Sequence, residues 1–98
     1  MNKVTFDSYI FETLMRDLIQ HEKRPSAFVV YAHLWVKSLG ATRAAKLSHL
    51  KIAEATGLSK SSVQGALKIL QRRKLVRAMK ETSTAVPEYA VMRPWIKS

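Results

Sequence analysis

Polar and basic side chains recur on one side of the segment that follows residue 58. Positions i, i+1, i+4, i+5 and i+8 share one face of a helix. In this segment they are occupied by Lys60, Ser61, Gln64, Gly65 and Lys68. In the major groove of DNA, Gln pairs with adenine and Lys reaches guanine, while Ser contacts base edges or phosphates. Glycine permits a close approach, although inside a helix it costs about 1 kcal/mol relative to Ala. Together these residues predict a DNA-reading face; taken singly, each is equally compatible with an ordinary solvated surface.

Basic residues surround this face in the sequence. The chain has 17 Lys and Arg against 7 Asp and Glu, a formal net charge of +10. Residues 43–80 contain ten basic residues and a single acid, Glu54, a net of +9, whereas residues 1–40 contain five basic and four acidic residues, a net of +1. Clustered cations favour a polyanionic partner, because binding releases the counterions condensed on its phosphates. A basic surface without a partner is the alternative interpretation of the charge alone.

The sequence offers little for catalysis or for metal binding. It contains no cysteine, which excludes disulfides, thiolate catalysis and Cys-based zinc fingers. His21, His33 and His49 show neither an HExxH pattern nor the spacing of zinc ligands, and no Gly-rich phosphate loop or nucleophile elbow occurs. We therefore expect no enzyme, no cofactor and no metal site, and we interpret His33 as a hydrogen-bonded histidine of the core or of an interface.

Length and composition indicate one globular domain over residues 1–98. The chain is 47% hydrophobic and 24% charged, which is typical of a folded domain, and its length provides for a single core. No apolar run approaches the ~18 residues that span a membrane, and the N-terminus lacks the features of a secretory signal. We therefore expect a cytoplasmic protein that is not bound to a membrane.

Two helices are predicted within residues 1–40. The first runs from about Asp7 or Ser8, either of which can cap it, to His21. The second is capped by Ser26 and ends near Gly40, which we expect at the C′ position. Because the second helix is apolar on most of its circumference, it must be buried on more than one side and is predicted to be the central strut. The surplus apolar surface of this scaffold predicts a homodimer contact.

Residues 47–73 have the pattern of two helices joined by a tight turn. Ser48 caps the first helix, Gly57 leaves it with positive φ, Leu58 lies under the turn and Ser59 caps the second helix. The predicted buried positions are Leu50, Ile52, Ala53 and Thr56 in the first helix, and Val63, Ala66, Leu67 and Leu70, at i, i+3, i+4 and i+7, in the second. This spacing predicts a helix-turn-helix.

A β-hairpin is predicted over residues 75–93. Leu75 to Lys80 and Glu88 to Arg93 predict two strands, with a seven-residue turn from 81 to 87 between them, and residues 41–47 predict a loop with one short strand. Arg72, Arg77 and Lys80 are expected to contact phosphates. The turn has no Arg or Lys at its tip, and a narrow minor groove attracts cations, so the hairpin is expected to brace the backbone without reading bases.

These motifs resemble the winged helix-turn-helix superfamily, in the style of MarR-like and GntR-like bacterial regulators and of DnaD-type or plasmid replication proteins. The resemblance is carried by LSHLKIAEATGLSKSSV at residues 47–63, by Ala66, Leu67 and Leu70, and by RKLV at residues 73–76. It implies a mainly α fold with a small β-hairpin, in which two helices precede the winged helix-turn-helix. It also implies a recognition helix at about 60–73 whose DNA-facing positions are Ser59, Lys60, Ser61, Gln64 and Lys68.

The expected function is therefore binding of double-stranded DNA, as a homodimeric transcriptional regulator of bacterial type. The homodimer would form through the N-terminal helices and pair two half-sites about one DNA turn apart. The alternative is a winged-helix module for protein interaction or assembly in a replication or partition complex. A basic and polar face on the 60–73 helix favours the DNA-binding hypothesis over this alternative.

Overall fold

A computed structural model describes residues 3–96 of the chain. This part has four helices and three short strands, so the fold is mainly helical with a small sheet, as expected. The N-terminal helix covers residues 8–21 and includes two π-helical stretches, Ile10–Leu14 and Asp17–His21. The elements that follow are α1 (Pro25–Lys37), β1 (Ala45–Lys46), α2 (His49–Thr56), α3 (Lys60–Arg72), β2 (Val76–Met79) and β3 (Glu88–Val91).

The helix ends of the scaffold differ from those predicted. The π-helical stretch that begins at Ile10 has no side-chain cap, and the Ile10 N–H donates to the Asp7 carbonyl (3.0 Å). The Asp7 carboxylate accepts hydrogen bonds from Arg93 Nε (2.8 Å) and Trp95 Nε1 (2.9 Å). The cap expected at Ser26 is also wrong. Helix α1 begins two residues earlier, with Arg24 at the N-cap position and Pro25 as its first residue, since the fixed φ of proline suits the first helical position and its missing N–H costs nothing there.

The C-terminal end of α1 forms a Schellman motif that is shifted by one residue from the prediction. Leu39, with φ of 52°, occupies the left-handed C′ position that we expected for Gly40. The Leu39 N–H donates to the Val36 carbonyl (3.0 Å), and the Gly40 N–H donates to the Trp35 carbonyl (2.9 Å), which is the hydrogen-bond pair of this motif. Gly40 therefore stands at C″.

The caps of α2 and α3 are confirmed. Ser48 Oγ accepts a hydrogen bond from the Lys51 N–H, and Ser59 Oγ accepts one from the Ser62 N–H, both at 3.1 Å. Gly57 ends α2 with φ of 81°. A Cβ at this position would meet nothing within 4 Å, so glycine is required here for its backbone conformation and not for space.

Helix α1 lies at the centre of the core, as predicted. It contacts the N-terminal helix, α2, α3 and β3, and it buries Val30, Tyr31, Leu34 and Trp35. Fully burying a side chain of this kind contributes about 1.5–3 kcal/mol. Six of the eight positions predicted to be buried in α2 and α3 are buried, and Thr56 is half-buried. The prediction for Leu50 is wrong: 57% of its surface is exposed, because it precedes Ile52 by two residues and therefore lies on the opposite side of α2. Tyr31 Oη also donates to the Met92 carbonyl (2.8 Å), which ties the C-terminal segment to α1.

His33 does not form the hydrogen bond that we expected of it at Nε2. This atom is buried and has no hydrogen-bond partner within residues 3–96. Burial lowers the pKa of His33, and the charge of Lys37 one turn further along α1 lowers it again. The imidazole is therefore neutral at physiological pH.

The three strands form one antiparallel sheet in the order β1-β3-β2. Ala45 pairs with Tyr89, and Val76 pairs with Val91, so β3 is central and the short strand predicted before α2 completes the sheet. The strands of the hairpin are shorter than predicted, and Lys80 lies in the loop after β2 and not in a strand. Among the helices of residues 3–96, none combines the length and the apolar character needed to cross a lipid bilayer.

Candidate nucleic-acid interface

Helix α3 has one buried face and one polar face. Its buried side chains pack against α1 and α2. The opposite face exposes Lys60, Ser61, Gln64 and Lys68, the side chains that the sequence singled out, and α3 contains no acidic residue. The Ser59 cap fixes where the helix begins, and therefore which residues share this face. We call these four residues, with Lys80 beside them, the basic face.

The N-terminal end of α3 meets the hairpin loop at a cleft. The cleft has a volume of about 270 Å³, and its lining includes Ser48, His49, Lys60, Lys80 and loop residues 84–87. Lys60 and Lys80 are thus brought together, although they are twenty residues apart in sequence. The structure places no acidic side chain among the residues that line this cleft.

His49 is a member of this site that the sequence analysis missed. It lines the same cleft as Lys60 and Lys80, and its pKa is lowered by partial burial and then by the charges of these two lysines. The spacing of His49 from the other histidines indicated neither a metal ligand nor a catalytic residue, so it was not among the predicted contact residues. Its position next to the Ser48 cap, at the first residue of α2, is the signal that places it near the surface of the motif.

Gly65 does not leave open space on the face of α3. A Cβ built at this position would lie 2.5 Å from Nη1 and 3.6 Å from Cζ of Arg24. The guanidinium of a residue that precedes α1 therefore occupies the room that we expected to admit a ligand backbone. No local sequence signal pointed to Arg24, because the contact joins residues 41 positions apart.

The C-terminal end of α3 is held by the N-terminal helix. Arg72 Nη2 lies 2.5 Å from Glu22 Oε1, and Arg73 Nη1 lies 2.9 Å from Glu22 Oε2, while Arg73 also binds Asp17. The hydrogen bonds from Arg73 are the main cause that lowers the pKa of the Asp17 carboxyl and of the Glu22 carboxyl. Arg72, which we expected to contact phosphate, is thus already engaged in an intramolecular ion pair.

Arg77 lies away from the basic face. It lines a groove of about 360 Å³ that also includes Gln71, Lys74 and Met92. Because α3 rises by about 1.5 Å per residue, Gln71 is roughly 16 Å along the helix from Lys60. The nine predicted contact residues therefore divide. Arg72 and Arg77 are at the C-terminal end of α3, Lys68 lies one turn before Arg72, and the others lie in the N-terminal half of α3 or beside it.

The residues of this surface are polar or positively charged, which favours an anionic ligand. Within the part of the chain that the structure describes, no group of three or more His, Asp or Glu residues is arranged to hold a metal. No known protein family, curated protein or solved structure shows significant similarity to this chain. The geometry and charge of the basic face are therefore the basis for a functional assignment.

Proposed function

We propose that this chain is a winged helix-turn-helix protein that binds double-stranded DNA, with α3 in the major groove and the β2–β3 hairpin against the phosphate backbone. The fold is supported by the helix pair α2 and α3, joined through Gly57, and by the hairpin that follows α3 directly. A helix with its side chains is about 10–12 Å wide, and the major groove is about 12 Å wide. The basic face thus has the shape and the charge for this ligand.

The observation that carries the proposal is the convergence of Lys60 and Lys80 on one cleft at the N-terminal end of α3. Two like charges held close together raise the local positive potential, which a phosphate would relieve. The N–H groups and the dipole of a helix N-terminus favour an anion at the same end. All of these contributions point toward the place where a phosphate of the duplex would lie.

The test is fluorescence anisotropy of a random-sequence duplex over a series of salt concentrations. We expect the logarithm of the association constant to fall linearly with the logarithm of salt, with a slope of about −0.9 for each phosphate contacted. Binding with a slope near zero, or no binding, would contradict the proposal and would favour the assembly-module alternative.

Two substitutions separate base reading from phosphate contact on the basic face. We expect Gln64→Ala to relax the preference for one base pair, because Gln makes a bidentate pair with adenine. We expect Lys60→Ala to weaken binding to all sequences alike, as the loss of a phosphate contact does. Competition between a selected site and random duplex measures both effects.

We further propose that the protein acts as a cytoplasmic transcriptional regulator and as a homodimer through residues 1–40. The scaffold exposes Phe11, Val29 and Val36 at 46%, 39% and 40% of their surface, and burial of this apolar surface in a second copy would stabilise a dimer. Two copies would present their α3 helices to half-sites about 34–36 Å apart. Sedimentation equilibrium and selection of the preferred duplex test this; a monomer with a non-palindromic site would contradict it.

A further inference from the structure

Arg24 is held rigidly between the N-terminal helix and α1. Its backbone N–H donates to the Leu18 carbonyl (3.0 Å), and its own carbonyl accepts from the Ala27 N–H (2.9 Å). Lys23, directly before it, adopts φ of 53°, which turns the chain sharply at this point. The side chain of Arg24 therefore starts from a backbone position that is fixed on both sides.

From this position the side chain reaches α3. Its guanidinium lies so close to Gly65 that any Cβ there would overlap Nη1, at 2.5 Å. Glycine is a poor helix former, so its presence in the middle of α3 needs a reason. One reason is that only glycine leaves room for this guanidinium, and we call the space over Gly65 the seat of Arg24. Arg24 is exposed to solvent.

Arg24 differs from the two arginines that end α3. Arg72 and Arg73 are neutralised by acidic residues of the N-terminal helix. Within residues 3–96, Arg24 forms no ion pair. Its backbone is therefore fixed by the fold, and its unpaired charge is available to a ligand beside Gly65.

The seat of Arg24 lies at the edge of the basic face opposite the hairpin. Gly65 follows Lys60 by five residues, which is a rotation of about 140° around the helix axis. Lys60 and Lys80 lie at one edge of the exposed surface of α3, and the guanidinium over Gly65 lies at the other. A helix in the major groove has a phosphate backbone along each of its edges.

We propose that Arg24 binds a backbone phosphate of the duplex on the side of α3 away from the hairpin, and that Gly65 is the seat that lets it do so. This inference rests on the proposed DNA binding. A guanidinium suits the role because its planar fork donates two parallel hydrogen bonds to phosphate. The contact carries no sequence information, so it positions α3 in the groove without selecting bases.

The first test is Arg24→Ala, with Lys37→Ala as the matched control. Lys37 is also a cation and ends α1, roughly 20 Å along the helix from Arg24. We expect Arg24→Ala to weaken binding about tenfold for every duplex sequence and to reduce the steepness of the salt slope by about 0.9. We expect Lys37→Ala to leave the slope unchanged. Arg24→Lys keeps the charge without the fork and should retain part of the affinity.

The second test is Gly65→Ala, made in the wild type and in the Arg24→Ala background. The methyl group displaces the guanidinium, while alanine favours the helix. We therefore expect a higher melting temperature by circular dichroism together with weaker DNA binding in the wild type. In the Arg24→Ala background we expect the same thermal gain with no further loss of affinity.

The outcomes separate this inference from the proposal on which it depends. Wild-type protein that shows no salt-dependent binding to any duplex overturns both. Wild-type binding that Arg24→Ala leaves unchanged overturns the inference alone and makes Arg24 a packing residue. A further loss of affinity for Gly65→Ala in the Arg24→Ala background also overturns it, because Gly65 would then serve the approach of DNA directly.

Discussion

Both ends of α3 are positively charged, but the charges are unpaired at one end and paired with acidic residues at the other. Lys60, at the N-terminal end, and Lys68, one turn before Arg72, are exposed and form no ion pair within residues 3–96. At the C-terminal end, Arg72 and Arg73 are bound by acids of the N-terminal helix. The net charge of a segment is therefore larger than the charge that is available to a ligand, because ion pairs with distant residues neutralise part of it. In this chain they leave the exposed face of α3 from Lys60 to Lys68 as the available cationic surface.

The largest expected effect comes from removing the cations of the available end. We expect the Lys60→Ala/Lys80→Ala double variant to weaken binding to a random duplex on the order of a hundredfold, since charge-assisted contacts contribute about 1.5–3 kcal/mol each. Arg72→Ala, which also removes a cation from the 43–80 stretch, should change the affinity much less. Anisotropy titrations at one fixed salt concentration compare the variants. If the double variant and Arg72→Ala lose the same affinity, the proposed difference between the two ends of α3 is wrong.

A smaller effect is expected when the bound end is released. Glu22→Gln removes the partner of Arg72 while Asp17 still holds Arg73. The freed guanidinium should strengthen DNA binding about two- to threefold, the size of an exposed charge interaction, and should steepen the salt slope. The matched control is Glu12→Gln, which removes one exposed acid from the same helix. If both variants strengthen binding equally, the gain reflects net charge and not the release of Arg72.

The smallest effect concerns the pH dependence of binding. The pKa of His49 is lowered in the free protein by burial and by Lys60 and Lys80. A phosphate in this cleft would offset the two lysine charges and raise that pKa, so binding would take up a proton. We expect affinity to rise about twofold as the pH falls through the usual pKa of histidine, about 6.5. His49→Gln should abolish this dependence and His33→Gln should not; a flat profile for the wild type would place the phosphate elsewhere.

The same lowered pKa values determine how the stability of the free protein changes with pH. His33 and His49 have folded-state pKa values below that of the unfolded chain, so protonation favours unfolding. Stability from these groups is complete above about pH 6.5 and is lost as the pH falls through the folded-state values. The DNA experiment therefore needs urea unfolding at each pH, so that a loss of folded protein is not taken for a loss of affinity.

The segment from α2 to α3 was predictable because its determinants are local. Ser48 and Ser59 cap their helices through N–H groups three residues ahead, and Gly57 needs only its own backbone conformation. The buried stripe of α3 follows from helical spacing within 13 residues. Such features depend on neighbours within a turn or two, which the amino-acid sequence specifies directly.

The available charge was not predictable, because it depends on contacts between distant segments. Glu22 and Arg72 are 50 residues apart, and Arg24 reaches Gly65 only because the N-terminal helix ends beside α3. The sequence by itself determined which residues share the face of α3 and where that helix begins. The tertiary structure alone decided that Arg72 is neutralised, that His49 and Lys80 join Lys60, and that the gap at Gly65 is filled by a guanidinium. The physical reason is that charge acts through space, and the spacing of charges is set by packing.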